Sequence, residues 1–312
     1  METRTFPSGR HERIDFILSE LARLKPQSDT ERYAIEQNRL FFESLKSKWS
    51  YFRWLYKVRD KIHGADLLEI NELLPDLDEV FHEKMAEIER RPSPGIIRPL
   101  VDGVSAMVME TPQERRFRIA SLGSGSMEAE RQIIEQIQRE GDPRPLTVAG
   151  FDISPRTRAF AEQNLSTLAG VRIVQVSGLT EEKLTTLEQE TREPVLVVIS
   201  DNDIFTLRSI FTLGTFDLVM TALFLHHLDE TKRIQIIKDM RALAPKTLNY
   251  DGYKNEVVVP MLSVTGWGSP VFLNAAIFST IRFPSRGEAL KLHADAKVDF
   301  YKHGHYRAVF FS

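Results

Sequence analysis

Between Ile14 and Arg90 the apolar residues fall three and four positions apart: Ile14, Ile17, Leu18, Leu21 and Leu24, then Leu40, Leu45 and the cluster Trp49, Phe52, Leu55 and Tyr56. That period puts them on one face of a helix, so a set of amphipathic helices is expected. Lys25-Pro26, Ile62-His63-Gly64 and Leu74-Pro75 interrupt the pattern, and Leu77, Val80, Phe81, Met85 and Ile88 carry it into a last helix. The run Arg91-Pro92-Ser93-Pro94-Gly95 reads as a domain boundary.

Beyond it the texture changes to short β-rich runs: Phe117 to Leu122, Leu146 to Ile153, Val171 to Val176, Val195 to Ser200, Phe216 to Leu223 and Glu256 to Val264. Helical segments separate them, Met127 to Glu140 and Pro155 to Leu168 first, then the polar stretch Glu181 to Glu190. Gly141 and Gly170 stand just past the first two and Pro155 opens the second, the usual asymmetry of helix ends. Strands alternating with helices predict an α/β domain with a mostly parallel, doubly wound sheet. The last strands, Val298 to Tyr301 and Tyr306 to Phe311, predict an antiparallel edge around His303-Gly304-His305. The expected organisation is an all-α N-terminal domain over residues 1–94, acting as an accessory or lid, and an α/β domain over residues 95–312.

Composition narrows the class. With 42% hydrophobic and 27% charged residues the chain can bury a core and should be globular. A net charge of -3 and a pI near 6.3 argue against a broad basic surface, so no nucleic-acid partner is expected. Lys46, Lys48, Arg53, Lys57, Arg59 and Lys61 are interleaved with Glu43 and Asp60 and read as a solvated helix face. Without cysteine there is no disulfide, zinc-thiolate site, iron–sulfur ligation or thiol nucleophile. No window approaches the roughly 18 apolar residues of a membrane span, so a cytoplasmic protein without a membrane partner is expected.

The candidate chemistry begins where the first strand runs into Leu122-Gly123-Ser124-Gly125-Ser126-Met127-Glu128 and then a helix. A Gly-x-Gly turn lets backbone pass close beneath a ligand, beside the N–H groups of a helix N-terminus. The second strand ends in Asp152-Ile153, 27 residues beyond Gly125, where a nucleoside-binding fold uses a carboxylate for the ribose hydroxyls. The alternative is that Asp152 caps the helix entered through Ser154-Pro155. A nicotinamide fingerprint wants a third glycine where this chain has Glu128, and a carboxylate there repels a pyrophosphate.

These residues resemble the class I S-adenosylmethionine-dependent methyltransferases, a Rossmann-like family, over about residues 115 to 245. The resemblance assigns Leu122, Gly123, Ser124 and Gly125 to the cofactor turn, and Asp152 and Ile153 to the ribose and its surroundings. The segment Gly214 to Met220 resembles the family's fourth strand and Phe224-Leu225-His226-His227-Leu228 its following turn, with Thr221 and Leu223 bordering the cofactor. Ser121 stands where an acid is usual and Met127 where a third glycine is usual; Glu128 is one candidate for the missing carboxylate. For the adenine there are two candidate strands. Val171 to Val176 ends without an acid, whereas Val195 to Ser200 ends in Asp201-Asn202-Asp203-Ile204, which is preferred.

Methyl transfer from a sulfonium needs alignment and exclusion of water, and a base only if the acceptor keeps its proton. His226 and His227, placed after a strand at the carboxyl edge, are the candidates for that base; packing of either ring is the alternative. Tyr253, Trp267 and Phe272 are the candidate walls of the acceptor pocket. No metal is expected, the alternative being a divalent-cation site formed by Asp201, Asp203 and Asp217. The expected function is S-adenosylmethionine-dependent methylation of a small molecule, by a protein that dimerises through its N-terminal helices. A non-catalytic or regulatory binding module and a nicotinamide-dependent oxidoreductase are the alternatives.

Overall fold

The computed structural model describes residues 9–58, 70–74, 77, 97–141, 144–254, 269–302 and 304–311. In chain order the helices are α1 (Arg10–Leu21), α2 (Asp29–Ser44), α3 (Lys48–Val58), α4 (Arg98–Met109), α5 (Glu128–Arg139), α6 (Pro155–Leu165), α7 (Glu181–Glu190), α8 (Glu230–Leu243), α9 (Pro270–Arg282) and α10 (Arg286–Leu292). The strands are β1 (Phe117–Leu122), β2 (Leu146–Phe151), β3 (Val171–Val176), β4 (Val195–Ser200), β5 (Leu218–Ala222), β6 (Lys246–Gly252), β7 (Lys297–Phe300) and β8 (His305–Phe311).

Two compact units share the chain, and the division is not a single cut near residue 94. Residues 1–84 are joined in one unit by 254–285, and 85–253 with 286–312 form the other. In the helical unit Phe41, Phe42, Tyr51, Trp54 and Phe278 make one aromatic core, with Trp54 stacked on Phe278 at 6.3 Å. Val271, Leu273 and Ile277 of α9 belong to the same core, which is why α9 packs there rather than with the sheet unit that follows it in sequence. Asn274 ties the unit together, accepting from the Ile70 N–H at 2.9 Å and donating to Asn38 at 2.9 Å.

The other unit is an eight-stranded sheet in the order β3-β4-β2-β1-β5-β6-β8-β7. The first six are parallel, and β8 and β7 close the far edge antiparallel. Strands buried on both faces need near-continuous apolar sequence, and β4, Val-Leu-Val-Val-Ile-Ser, is buried throughout. One face packs against α4, α5 and α6 through residues such as Ile119, Ile133 and Leu165. The other packs against α8 and the segment before β5 through Ala120, Phe211, Phe216 and Ile236. Caps start the helices locally: Ser154 accepts from the Thr157 N–H, Thr180 from Lys183 and Asp229 from Lys232.

Several expected bounds move. β2 stops at Phe151, β5 covers only Leu218–Ala222 and α6 ends at Leu165. The strand expected over Glu256 to Val264, the Arg91 to Gly95 boundary and all of the 77–88 helix but Leu77 lie outside the described residues. The elements without a sequence expectation include α4, β6, α9 and α10. In β6 the inward-facing Thr247, Asn249 and Asp251 are polar yet buried, so a residue set that normally disfavours strands hides a central one.

Candidate functional site

Parallel register gathers the carboxyl ends. Leu122 lies opposite Phe151 and Thr221, Phe151 opposite Ser200, and Thr221 opposite Asn249. The loops that follow therefore converge: Gly123 to Met127 after β1, Asp152 and Ile153 after β2, Asp201 to Ile204 after β4, and Leu223 to His227 after β5. The chain leaves β1 toward β2 on one side and meets β5 on the other, the switch point at which open α/β sheets take ligands. Tyr253 follows β6 at this same end, with its hydroxyl donating to the Tyr301 carbonyl and its ring beneath the Arg286 guanidinium. Phe272 is buried in the helical unit, and Trp267 lies outside the described residues.

The glycine turn is built as its residues require. Gly123 and Gly125 have φ of +62° and +53°, a region that favours glycine. A side-chain carbon on Gly123 would lie 2.2 Å from the Phe224 ring, so nothing larger fits. The N–H groups of Gly123 and Ser124 donate to the Phe151 carbonyl. Asp152 clamps the turn from the next strand, accepting from the Gly125 N–H at 3.1 Å and from the Ser154 N–H at 2.9 Å. Ser154, not Asp152, caps α6. Met127 takes the left-handed φ of +54° itself, and its buried side chain lies where a Cβ on Gly150 would come within 2.8 Å of its sulfur. A glycine in β2 thus makes room for the methionine that replaces a glycine after β1. The buried Ser124 hydroxyl oxygen has no hydrogen-bond partner among the described residues.

Two acids stand in the first turn of α5. Glu128 accepts from Gln132 at 3.1 Å and from Asn164 of α6 at 3.0 Å, which turns it toward α6. The acid beside Ser121 is Glu130, 2% exposed, accepting from the Ser121 hydroxyl at 2.5 Å. Burial pushes the Glu130 carboxyl up to about 7, with the Ser121 hydroxyl opposing and Glu128 adding to the rise. Sequence reasoning did not single out Glu130. The signal was there: it shares a face with Ile133, Ile134 and Ile137, a position where an apolar residue is expected.

On the β4 side the topology separates the two candidate strands. β4 pairs with β2 and so ends in the row of β1 and β2, while β3 is an added parallel edge strand. Asp201 accepts from the Ser177 hydroxyl and the Gly178 N–H, and these bonds hold its carboxyl below the ordinary value. Asn202 accepts from the Leu179 N–H at 2.7 Å, and Asp203 from the Phe205 N–H at 3.0 Å. Ile153 is 72% exposed beside this row. Asp217 precedes β5 at the opposite end of the sheet, bonded to the Arg118 N–H, so it cannot join Asp201 and Asp203 in one ligand set. Among the described residues no group of three or more His, Asp or Glu side chains is placed to hold a metal.

The turn after β5 holds the two histidines. His226 is buried, its Nδ1 2.7 Å from Asp251 of β6, whose other oxygen accepts the His226 backbone N–H at 3.0 Å. Burial alone would raise the Asp251 carboxyl, but His226, the Gly252 N–H and His227 outweigh it and hold it below its ordinary value. Asp251 is the partner that the sequence did not reveal, because Asn-Tyr-Asp-Gly reads as a turn. His227 is half-buried, its ring centroid 4.1 Å from that of His226. Thr221 faces β6, donating to Asn249 at 2.6 Å, and Asn249 in turn donates to Tyr306 at 3.0 Å. Leu223 has a φ of +52° and donates its N–H to the Tyr250 carbonyl.

No protein-family model matches the chain, and no curated protein matches it in sequence. Solved structures do match in fold. The plantazolicin methyltransferase BpumL, in complex with a triazolic desmethylPZN analog and SAH, superposes with a TM-score of 0.51 at 11% identity, over 78% of this chain and 93% of that one. An O-methyltransferase family protein from Burkholderia thailandensis gives 0.48 at 13%, over 88% and 71%. The magnesium protoporphyrin IX methyltransferase ChlM from Synechocystis PCC 6803, with bound SAH, gives 0.44 at 11%, over 76% and 96%. The likeness is one of fold, carried by BpumL: the sheet unit has the Rossmann-like fold found in S-adenosylmethionine-dependent methyltransferases.

Proposed function

We propose that this chain binds S-adenosylmethionine at the carboxyl edge of its sheet and transfers the methyl group to a small-molecule acceptor. The observation that carries the reading is the β1 glycine turn, clamped by Asp152 from β2 and backed by two buried carboxyls on α5. A pyrophosphate would meet Glu128 and Glu130 there, whereas a ligand with a sulfonium and an ammonium group suits them. The donor set fits such a ligand: a carboxylate at the end of β2, the exposed Ile153 next to it, and the unpartnered Ser124 hydroxyl inside the turn. The fold neighbour BpumL, a methyltransferase crystallised with SAH and a triazolic desmethylPZN analog, supports the reading of methyl transfer.

S-Adenosylmethionine, when bound, supplies a methyl group already activated on sulfur. Asp152 would accept the ribose hydroxyls and Ile153 would cover the nucleoside, with the β4-end residues Asp201 to Ile204 beside it. His226 is the candidate base, its Nδ1 and backbone N–H both bonded to Asp251, and Nε2 is the atom that would take an acceptor proton. Tyr253 is proposed as one wall of the acceptor pocket, and the helical unit as an accessory lid or dimer element.

Calorimetric titration of the full chain with S-adenosylmethionine and S-adenosylhomocysteine tests the reading, with binding of both expected. Absence of affinity for either would sink it, and binding of NAD in their place would make the chain a nicotinamide enzyme. Incubation with labelled S-adenosylmethionine and a small-molecule extract then identifies the acceptor; cofactor binding with no labelled product would leave a non-catalytic module.

A further inference from the structure

Ser121 and Glu130 form a buried polar pair directly behind the glycine turn. In β1 the side chains of Phe117, Ile119 and Ser121 alternate onto the face that packs against α5, and Ser121 lies two residues before Gly123. Glu130 meets it from the first turn of α5, and at 1% and 2% exposure neither side chain reaches bulk water. Among the described residues the Ser121 hydroxyl is the one side chain that bonds Glu130, and no cation pairs with it. A buried carboxyl without a cationic partner is costly. Apolar packing would stabilise this position better, since Glu130 shares its face with Ile133, Ile134 and Ile137.

We propose that Glu130, linked to Ser121, is the acid that receives the ammonium group of the cofactor's amino-acid end, delivered from α5 rather than from β1. This rests on the reading that the glycine turn takes S-adenosylmethionine. The ligand's cation is then the partner that Glu130 lacks among the described residues, and the Ser124 hydroxyl in the same turn, with no hydrogen-bond partner among them, is a second polar group near it in sequence. A carboxyl held at about 7 ionises readily when a cation arrives.

The test compares two probes on the full chain by calorimetry at pH 8: S-adenosylhomocysteine, and 5′-methylthioadenosine, which keeps the nucleoside and thioether but lacks the amino-acid end. Glu130→Gln keeps the shape and removes a buried charge, so it folds at least as well as the parent. It should weaken S-adenosylhomocysteine about ten- to a hundredfold, the worth of a charge-assisted hydrogen bond, and leave methylthioadenosine unchanged. Adding Ser121→Asp, which puts the charge on β1, should restore S-adenosylhomocysteine binding. Equal affinity of Glu130→Gln and the parent for S-adenosylhomocysteine overturns the assignment while the cofactor reading stands. Parallel losses of both probes also overturn it, since a structural role alone would produce them. A parent chain that binds neither probe removes the cofactor reading and this assignment with it.

Discussion

Glu130 makes stability depend on pH with a definite sign. Burial pushes its carboxyl up to about 7 in the fold from an ordinary value of 4.5, so between those values the folded chain holds a proton that the unfolded chain has lost. Stability contributed by the protonated form is therefore complete below about 4.5 and lost as pH rises through about 7, a change of ~3 kcal/mol. Urea unfolding of the parent and Glu130→Gln at intervals from pH 5 to 8 should show the variant gaining on the parent by that amount. A constant difference across the range would remove the linkage. The other test at this scale concerns the base: His226→Gln should lower kcat for the identified acceptor by about 10²- to 10⁴-fold while leaving S-adenosylhomocysteine affinity within about twofold. Unchanged turnover would take the base role from His226. Gly123, Gly125 and Asp152 were legible in the sequence because a strand, a glycine pair, a helix, a strand and an acid appear in order. Asp251 was not, because it is a buried polar residue whose partner His226 lies 25 residues away; Glu130 left only the weaker signal of an acid on the apolar face of α5.

At the scale of elements, the runs that announced themselves are the β-rich ones: β1, β3 and β4 take the bounds that the sequence predicts, β4 buried throughout and β3 only partly covered at the sheet edge. β6 escaped because one of its two buried faces carries Thr247, Asn249 and Asp251, and burial of the last two is made tolerable by bonds to Thr221, Tyr306 and His226 from neighbouring segments. No local pattern carries that information. Strand order was equally out of reach, since β3 and β4 have similar sequences and only the assembled sheet puts β4 beside β2. The join between β1 and α5 shows two elements accommodating each other. A Cβ on Gly150 of β2 would come within 2.8 Å of the Met127 sulfur, so Gly150→Ala should cost about 1–3 kcal/mol as an overpacked site. In a Met127→Ala background most of that cost should vanish, giving a coupling in a double-mutant cycle of chemical denaturation. An undiminished cost would place the conflict at the Ser124 hydroxyl, 2.9 Å from the same point.

The molecule as a whole carries two cores, one aromatic and helical, the other built on the sheet. The sequence announced both textures but not the return of residues 254–285 to the helical unit, because membership of α9 is decided by which core Phe278 and Ile277 enter. No helix among the described residues is long and apolar enough to cross a membrane. Every residue proposed to hold the cofactor lies in the sheet unit, so ligand energy should enter there first. A ligand that binds only the folded state stabilises it by about 2.7 kcal/mol at a hundred times its Kd. Hydrogen exchange with and without S-adenosylhomocysteine at that excess should show slowed exchange in the glycine turn, the first turn of α5 and residues 223–227. Rates in α1, α2 and α9 should stay as they were. Slowed exchange in α9 as well would mean that the helical unit closes on the cofactor itself, and would assign it the lid role without any acceptor present. Protection confined to the sheet unit would reserve the helical one for the acceptor or for a second copy of the chain, two outcomes that repeating the exchange with the identified acceptor would separate.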